Sequence, residues 1–164
     1  MNPLVVTLAV DDASQRRFER ERAAHFPPGR TQVGAHVTLF HAVPGALRDV
    51  VERDLREQAG EAFDVRVAGV RSLGRGVAYV LESAELTRRH RVVQQAWWPQ
   101  LTRQDRQGLR PHVTVQNKAG PDAVRRALAD VQAGFAPFDV RAEGFVLWRY
   151  DGGPWTHLRF IPFD

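Results

Sequence analysis

Two four-residue segments, His36-Val37-Thr38-Leu39 and His112-Val113-Thr114-Val115, repeat one pattern: histidine, valine, threonine, aliphatic. Alternate residues of a strand share a face. Extended, each segment therefore presents an imidazole and a hydroxyl on one side and two aliphatics on the other. Imidazole titrates near neutrality, so two histidines can divide acid–base work, one neutral and one protonated. Threonine hydroxyls and strand amides can donate to phosphoryl oxygens while bonds at phosphorus change. Two such strands face to face would bracket one small anion, which is the equipment for transesterification or hydrolysis of a phosphodiester. One His-x-Thr match means little in a chain with six histidines. Two matches with the same central valine and an aliphatic in fourth place are far less expected by chance.

The surrounding elements must position those strands. Leu4–Val10 is apolar and β-rich, and Ala13–His25 is amphipathic and charged. A loop with Pro27-Pro28-Gly29 leads to a first motif strand over Gln32–His41. The turn Val43-Pro44-Gly45 then opens a helix over Ala46–Gln58, followed by an alternating strand, Ala62–Val70. The second half repeats the order: strand Gly76–Glu82, helix Glu85–Leu101, a polar loop through Asp105 and Gly108, and a second motif strand, Arg110–Lys118. After Ala119-Gly120-Pro121 come a helix over Asp122–Gln132 and a strand over Phe138–Arg141. A hairpin closes the chain, Gly144–Tyr150 and Trp155–Phe163 around Asp151-Gly152-Gly153. The repeated order predicts an α+β fold of two lobes related by a pseudo-two-fold axis. Antiparallel sheets line a central groove, helices lie outside, and each lobe carries one motif. At this length, residues 1–164 are expected to form one domain.

Composition removes several classes of chemistry. With no cysteine, thiolate catalysis, thiolate metal sites and disulfide staples are excluded. There is no His-Glu-x-x-His and no carboxylate pair beside either motif, so neither a metal nor another cofactor is expected. No apolar run is long enough to span a membrane, and Met1–Val10 reads as a first strand and not as a signal peptide. A cytoplasmic monomer that does not bind membranes is the expectation. The formal charge is +4, and Lys118 is the only lysine. A surplus of arginine suits phosphate recognition. However, Arg16, Arg17, Arg20 and Arg22 interleave with Glu19 and Glu21, the pattern of a solvated helix face.

The paired motifs, their separation and the duplicated order resemble the 2H phosphoesterase superfamily, in particular its bacterial 2′-5′ RNA ligase-like and cyclic phosphodiesterase branch. The resemblance spans essentially the whole chain, and its specificity rests on the two motifs. It implies metal-independent opening of 2′,3′-cyclic phosphates at RNA ends, usually to 2′-phosphates, and in some members joining of 2′-5′ linkages. The implied partner is RNA with a cyclic phosphate or a 2′-5′ linkage, or a small cyclic nucleotide. A non-catalytic RNA-binding module is the alternative outside the enzyme class.

Carried over to this chain, the resemblance makes His36 and His112 the acid–base pair and Thr38 and Thr114 the phosphate-binding hydroxyls. With the 3′-oxygen leaving, His112 is assigned as base and His36 as acid. Better-known ligase-like members carry an aromatic after the first motif and an arginine after the second. Here Phe40 stands for the aromatic, one pleat beyond Thr38. No arginine stands shortly after Thr114, so Lys118 or Arg110 is expected to substitute, with Gln116 a further substrate-binding candidate. Trp148, Tyr150 and Trp155 crowd the closing hairpin, either as a stacking platform for a base or as cross-strand packing. Of the remaining histidines, His25 and His90 are expected at helix surfaces or ends and His157 on a strand surface. His41 should face away from His36 unless a bulge intervenes. Trp97 and Trp98 are expected in the core.

Overall fold

Among the described residues, β-branched and aromatic residues build seven strands, and a carboxylate or hydroxyl cap starts two of the helices. The computed structural model describes residues 1–26 and 33–164. The expected turn at Pro27-Pro28-Gly29 and the expected strand start at Gln32 lie outside the described residues. The strands are β1 (Leu4–Val10), β2 (Val37–Val43), β3 (Phe63–Ser72), β4 (Val77–Glu82), β5 (His112–Gln116), β6 (Phe138–Tyr150) and β7 (Trp155–Pro162). The helices are α1 (Asp12–His25), α2 (Arg48–Glu57), α3 (Ala84–Trp97) and α4 (Pro121–Ala133). Asp11 caps α1 by accepting the Ser14 N–H (3.1 Å), and Ser83 caps α3 by accepting that of Leu86 (3.1 Å). Pro121 occupies the first turn of α4, where its missing N–H costs nothing.

The order strand, helix, motif strand, helix, strand occurs twice, as the sequence predicts. All strand pairs are antiparallel, and one path runs β2-β1-β6-β3-β4-β5, with β7 also on β6. The two halves thus share a continuous seven-stranded sheet. The expected separate strands Phe138–Arg141 and Gly144–Tyr150 are one strand, β6, which pairs with β3, β1 and β7 along its length. Ala142, Gly144 and Phe145 are buried while Glu143 sits on the exposed face, so the acidic residue does not break the strand.

The motif strands β2 and β5 terminate the path on opposite ends, yet they touch each other. The sheet therefore curls until its two edges meet. Val6, Val65, Val67, Val77, Val113 and Val115 fill the interior with Leu81, Leu86, Leu147, Phe18 and Trp97. Trp97 is core as expected, with its indole N–H donating to Asp54 (2.9 Å). Trp98 is instead exposed, covered on one face by the Arg106 guanidinium.

Candidate active site

In both motifs the valine is buried and the histidine and threonine are half-buried, the alternation that the pattern requires. Both strands then break that alternation at the same place. Opposite β1, Thr7 pairs with Thr38 and Val6 with Phe40, so β2 has one extra residue after its threonine. Opposite β4, Ala78 pairs with Thr114 and Val77 with Gln116, so β5 has one extra residue after its own. These are β-bulges, and each puts two successive side chains on the buried side. Leu39 and Phe40 are buried after the first motif, Val115 and Gln116 after the second.

The two imidazoles are oriented by matching bonds. His36 Nδ1 lies 2.7 Å from the Gly34 carbonyl and His112 Nδ1 2.9 Å from the Arg110 carbonyl. A carbonyl only accepts, so both Nδ1 atoms carry the proton and both Nε2 atoms are left for chemistry. The cavities are shared crosswise. His36 and Thr114 line one of ≈ 830 Å³, together with Arg22, Phe26, Lys118, Tyr150 and Trp155. Thr38 and His112 line a smaller one with His41, Gln104 and Arg110. Each histidine thus shares a cavity with the other motif's threonine. Trp155 also packs on the His36 ring at 4.8 Å between centroids. Burial pushes the His36 imidazole below its ordinary 6.5; the Gly34 carbonyl opposes this, while Arg22, His112 and His41 push the same way.

α1 bridges the motifs. Gln15 donates to the Ala35 carbonyl (2.8 Å), Glu19 accepts the Ala35 N–H (2.7 Å), and Arg22 donates to the Val33 carbonyl (2.9 Å). These three residues lie at i, i+4 and i+7, one stripe of the helix. Arg22 reaches across to the other motif as well, donating to the Thr114 carbonyl (2.7 Å). Its guanidinium covers the Phe26 ring (4.1 Å), the residue is 6% exposed, and its Nε is buried without a partner among the described residues. The expectation of a solvated face is therefore wrong for Arg22 and Glu19. Their stripe points at the motifs, a direction that charge interleaving alone does not reveal.

The profile of the 2′-5′ RNA ligase superfamily matches residues 10–154. The chain belongs to this superfamily. Its fold is shared with several solved structures. A Thermus thermophilus protein, TT0787, superposes with a TM-score of 0.70 at 17% identity, covering 98% of this chain and 97% of that one. A structure described as a phosphoesterase gives 0.67 at 14% identity over 99% and 98% of the two chains. Escherichia coli LigT, solved in complex with 3′-AMP, gives 0.65 at 15% identity, again over 99% and 98%. No curated protein matches at the sequence level.

Of the site residues expected from the sequence, the structure brings His36, His112, Thr38, Thr114, Arg110, Lys118 and Tyr150 to these two cavities. Trp148 lines a third cavity that also reaches His36, and its indole N–H donates to Thr7 (2.9 Å). Two expectations fail for the same reason. Phe40 is 1% exposed, stacked on His90 (4.5 Å) and against Trp97, so it cannot stack on a ligand. Gln116 is 5% exposed and donates to the Ala123 carbonyl of α4 (3.3 Å). The bulges place Asn117 and His41 at the cavities instead. His90 is buried as well, contrary to expectation, with Nε2 on the Leu39 carbonyl (3.1 Å). His25 does sit at the end of α1 beside Glu21 (3.6 Å), and His157 is exposed on β7.

Proposed function

We propose that this superfamily member is a metal-independent phosphodiesterase that opens 2′,3′-cyclic phosphate at an RNA end to a 2′-phosphate, with 2′-5′ ligation as the same displacement carried out by a 5′-hydroxyl in place of water. The observation that carries the reading is the crosswise pairing of each imidazole with the other motif's threonine, each ring having Nδ1 bound to backbone and Nε2 without a partner among the described residues. In the hydrolytic direction a water attacks phosphorus and gives its proton to one Nε2. The bond from phosphorus to the 3′-oxygen breaks, and the other imidazole delivers a proton to that oxygen. Thr38 and Thr114 donate to the non-bridging oxygens, whose charge grows in the transition state. The sequence reading takes His112 as base and His36 as acid. Burial holds His36 toward its neutral form, which favours the exchanged roles: His36 accepts the proton from water and His112 protonates the leaving oxygen.

A small cyclic nucleotide is the second reading. The His36 cavity, at ≈ 830 Å³, is the size of a site for one nucleotide, and it offers Trp155 and Tyr150 to a base. LigT has been crystallised with 3′-AMP, ATP, NADP+ and phosphate. Incubation with 2′,3′-cyclic mononucleotides and with cyclic-ended oligonucleotides, in chelator, tests both readings. Release of a 2′-phosphate is expected. Activity that vanishes in chelator and returns with a divalent ion would overturn the two-histidine mechanism, and binding without turnover would favour the RNA-binding module.

A further inference from the structure

His41 stands five residues beyond His36, an odd number that regular pleating would turn toward the core. Besides the bulge after Thr38, β2 carries a second register shift, between the Val6–Phe40 and Leu4–Val43 pairs. The imidazole emerges beside Thr38 and His112, at the cavity that also includes Gln104 and Arg110. What holds it there is Asp105, whose side chain is 1% exposed. Its carboxylate accepts the backbone N–H of His41 (2.8 and 3.0 Å) and of Ala42 (2.9 Å), and it faces His41 Nδ1 at 3.1 Å. The loop bearing Asp105 is itself fixed, because buried Gln94 donates to the carbonyls of Asp105 (2.9 Å) and Gln107 (2.8 Å). Burial, the largest influence, pushes the Asp105 carboxyl up; the bonds from His41 and Ala42 outweigh it and keep the group ionised. An ionised carboxylate only accepts, so His41 Nδ1 carries the proton and Nε2 is the nitrogen left for the cavity.

We propose that His41 is a third substrate-contacting imidazole, hydrogen-bonding a non-bridging oxygen of the phosphoryl group from the His112 side, with Asp105 as its positioning residue. The motif histidines are oriented by backbone carbonyls, whereas His41 is oriented by a buried carboxylate. A non-bridging oxygen only accepts, so Nε2 must donate in the complex. The contact is made with a proton on each ring nitrogen, Nδ1 on the buried carboxylate and Nε2 on the anion, and proton transfer is left to the motif pair. The identity of the bound group rests on the phosphodiesterase reading, but anion binding can be measured without turnover.

Titration of the folded protein with inorganic phosphate, followed by NMR of the imidazole nitrogens, is the test. His41→Ala and the milder His41→Gln should each weaken phosphate binding about tenfold, the scale of one hydrogen bond to a charged group. Asp105→Asn should release His41 into a mixture of tautomers visible in its nitrogen shifts, and should weaken phosphate only where His41 is present. Wild-type phosphate affinity in both His41 variants would overturn the proposal. An Asp105→Asn effect that persists undiminished in the His41→Ala background would overturn the positioning role. If the unmodified protein binds phosphate through His41 yet turns over no cyclic phosphate, the phosphodiesterase reading fails and this one stands.

Discussion

His36 and His112 each hold one half of a coupled proton transfer in the proposed reaction. Replacing either with alanine should cost roughly 10²–10⁴-fold in kcat, with the thermal melt little changed, because both rings are half-buried at the cavity rim. Thr38→Ala and Thr114→Ala should cost less, roughly one transition-state hydrogen bond each. The acidity of His36 makes a signed prediction. Its protonated form is disfavoured by burial and then by Arg22, so the proton-accepting form persists to lower pH. The acid limb of the kcat/KM profile should therefore lie below the ordinary imidazole value of 6.5. Arg22→Met should move that limb back upward, partway, since burial remains. A limb that does not move in Arg22→Met would place the base elsewhere.

At the scale of elements, the paired bulges decide which side chains see the cavity. Gly76 guards the second one: a Cβ there would stand 1.9 Å from the Gln116 carbonyl oxygen and 3.0 Å from Asn117 Cα. That neighbour is backbone and cannot swing aside. Gly76→Ala should push β5 outward, costing roughly 1–3 kcal/mol of stability and displacing His112 and Thr114. Denaturant unfolding together with turnover of a cyclic mononucleotide checks this; a variant with normal stability and activity would show that the end of β5 yields freely. The sequence made much of this legible. Two-residue periodicity marks the motif faces, and Gly/Pro turns mark the helix starts after Val43 and Ala119. The bulges were not legible, because nothing in Leu39-Phe40 or Val115-Gln116 distinguishes an extra residue from regular pleating. They arise from pairing with β1 and β4, which are remote in sequence. The same holds for Arg22 and Asp105, whose partners lie 92 and 64 residues away in Thr114 and His41.

The whole molecule couples its stability to the site through buried imidazoles. Burial lowers the proton affinity of His90, against the pull of the Leu39 carbonyl and Asp105, and does the same to His36. The unfolded chain binds protons at these positions from about pH 6.5 downward, before the folded one does. Stability should accordingly be full above that value and decline as pH falls through the lowered folded pKa values. His90→Gln, which can still donate to Leu39, should flatten the decline in melts recorded between pH 7 and 5. At the same scale, the formal charge of +4 and the exposed Arg110 and Lys118 favour longer anions. A cyclic-ended oligonucleotide should be processed with higher kcat/KM than a mononucleotide, and added salt should erode the difference. Equal efficiency at low salt would favour the small-nucleotide reading. Finally, the sheet path begins and ends with the two strands that carry the motifs, and no ladder of backbone hydrogen bonds pairs these two strands among the described residues. An anion gripped from both sides is then the missing rung of an unclosed barrel. At a hundred times its dissociation constant such a ligand adds about 2.7 kcal/mol. Amide exchange should slow most in Val37–Leu39 and Val113–Val115, the two rims it laces together.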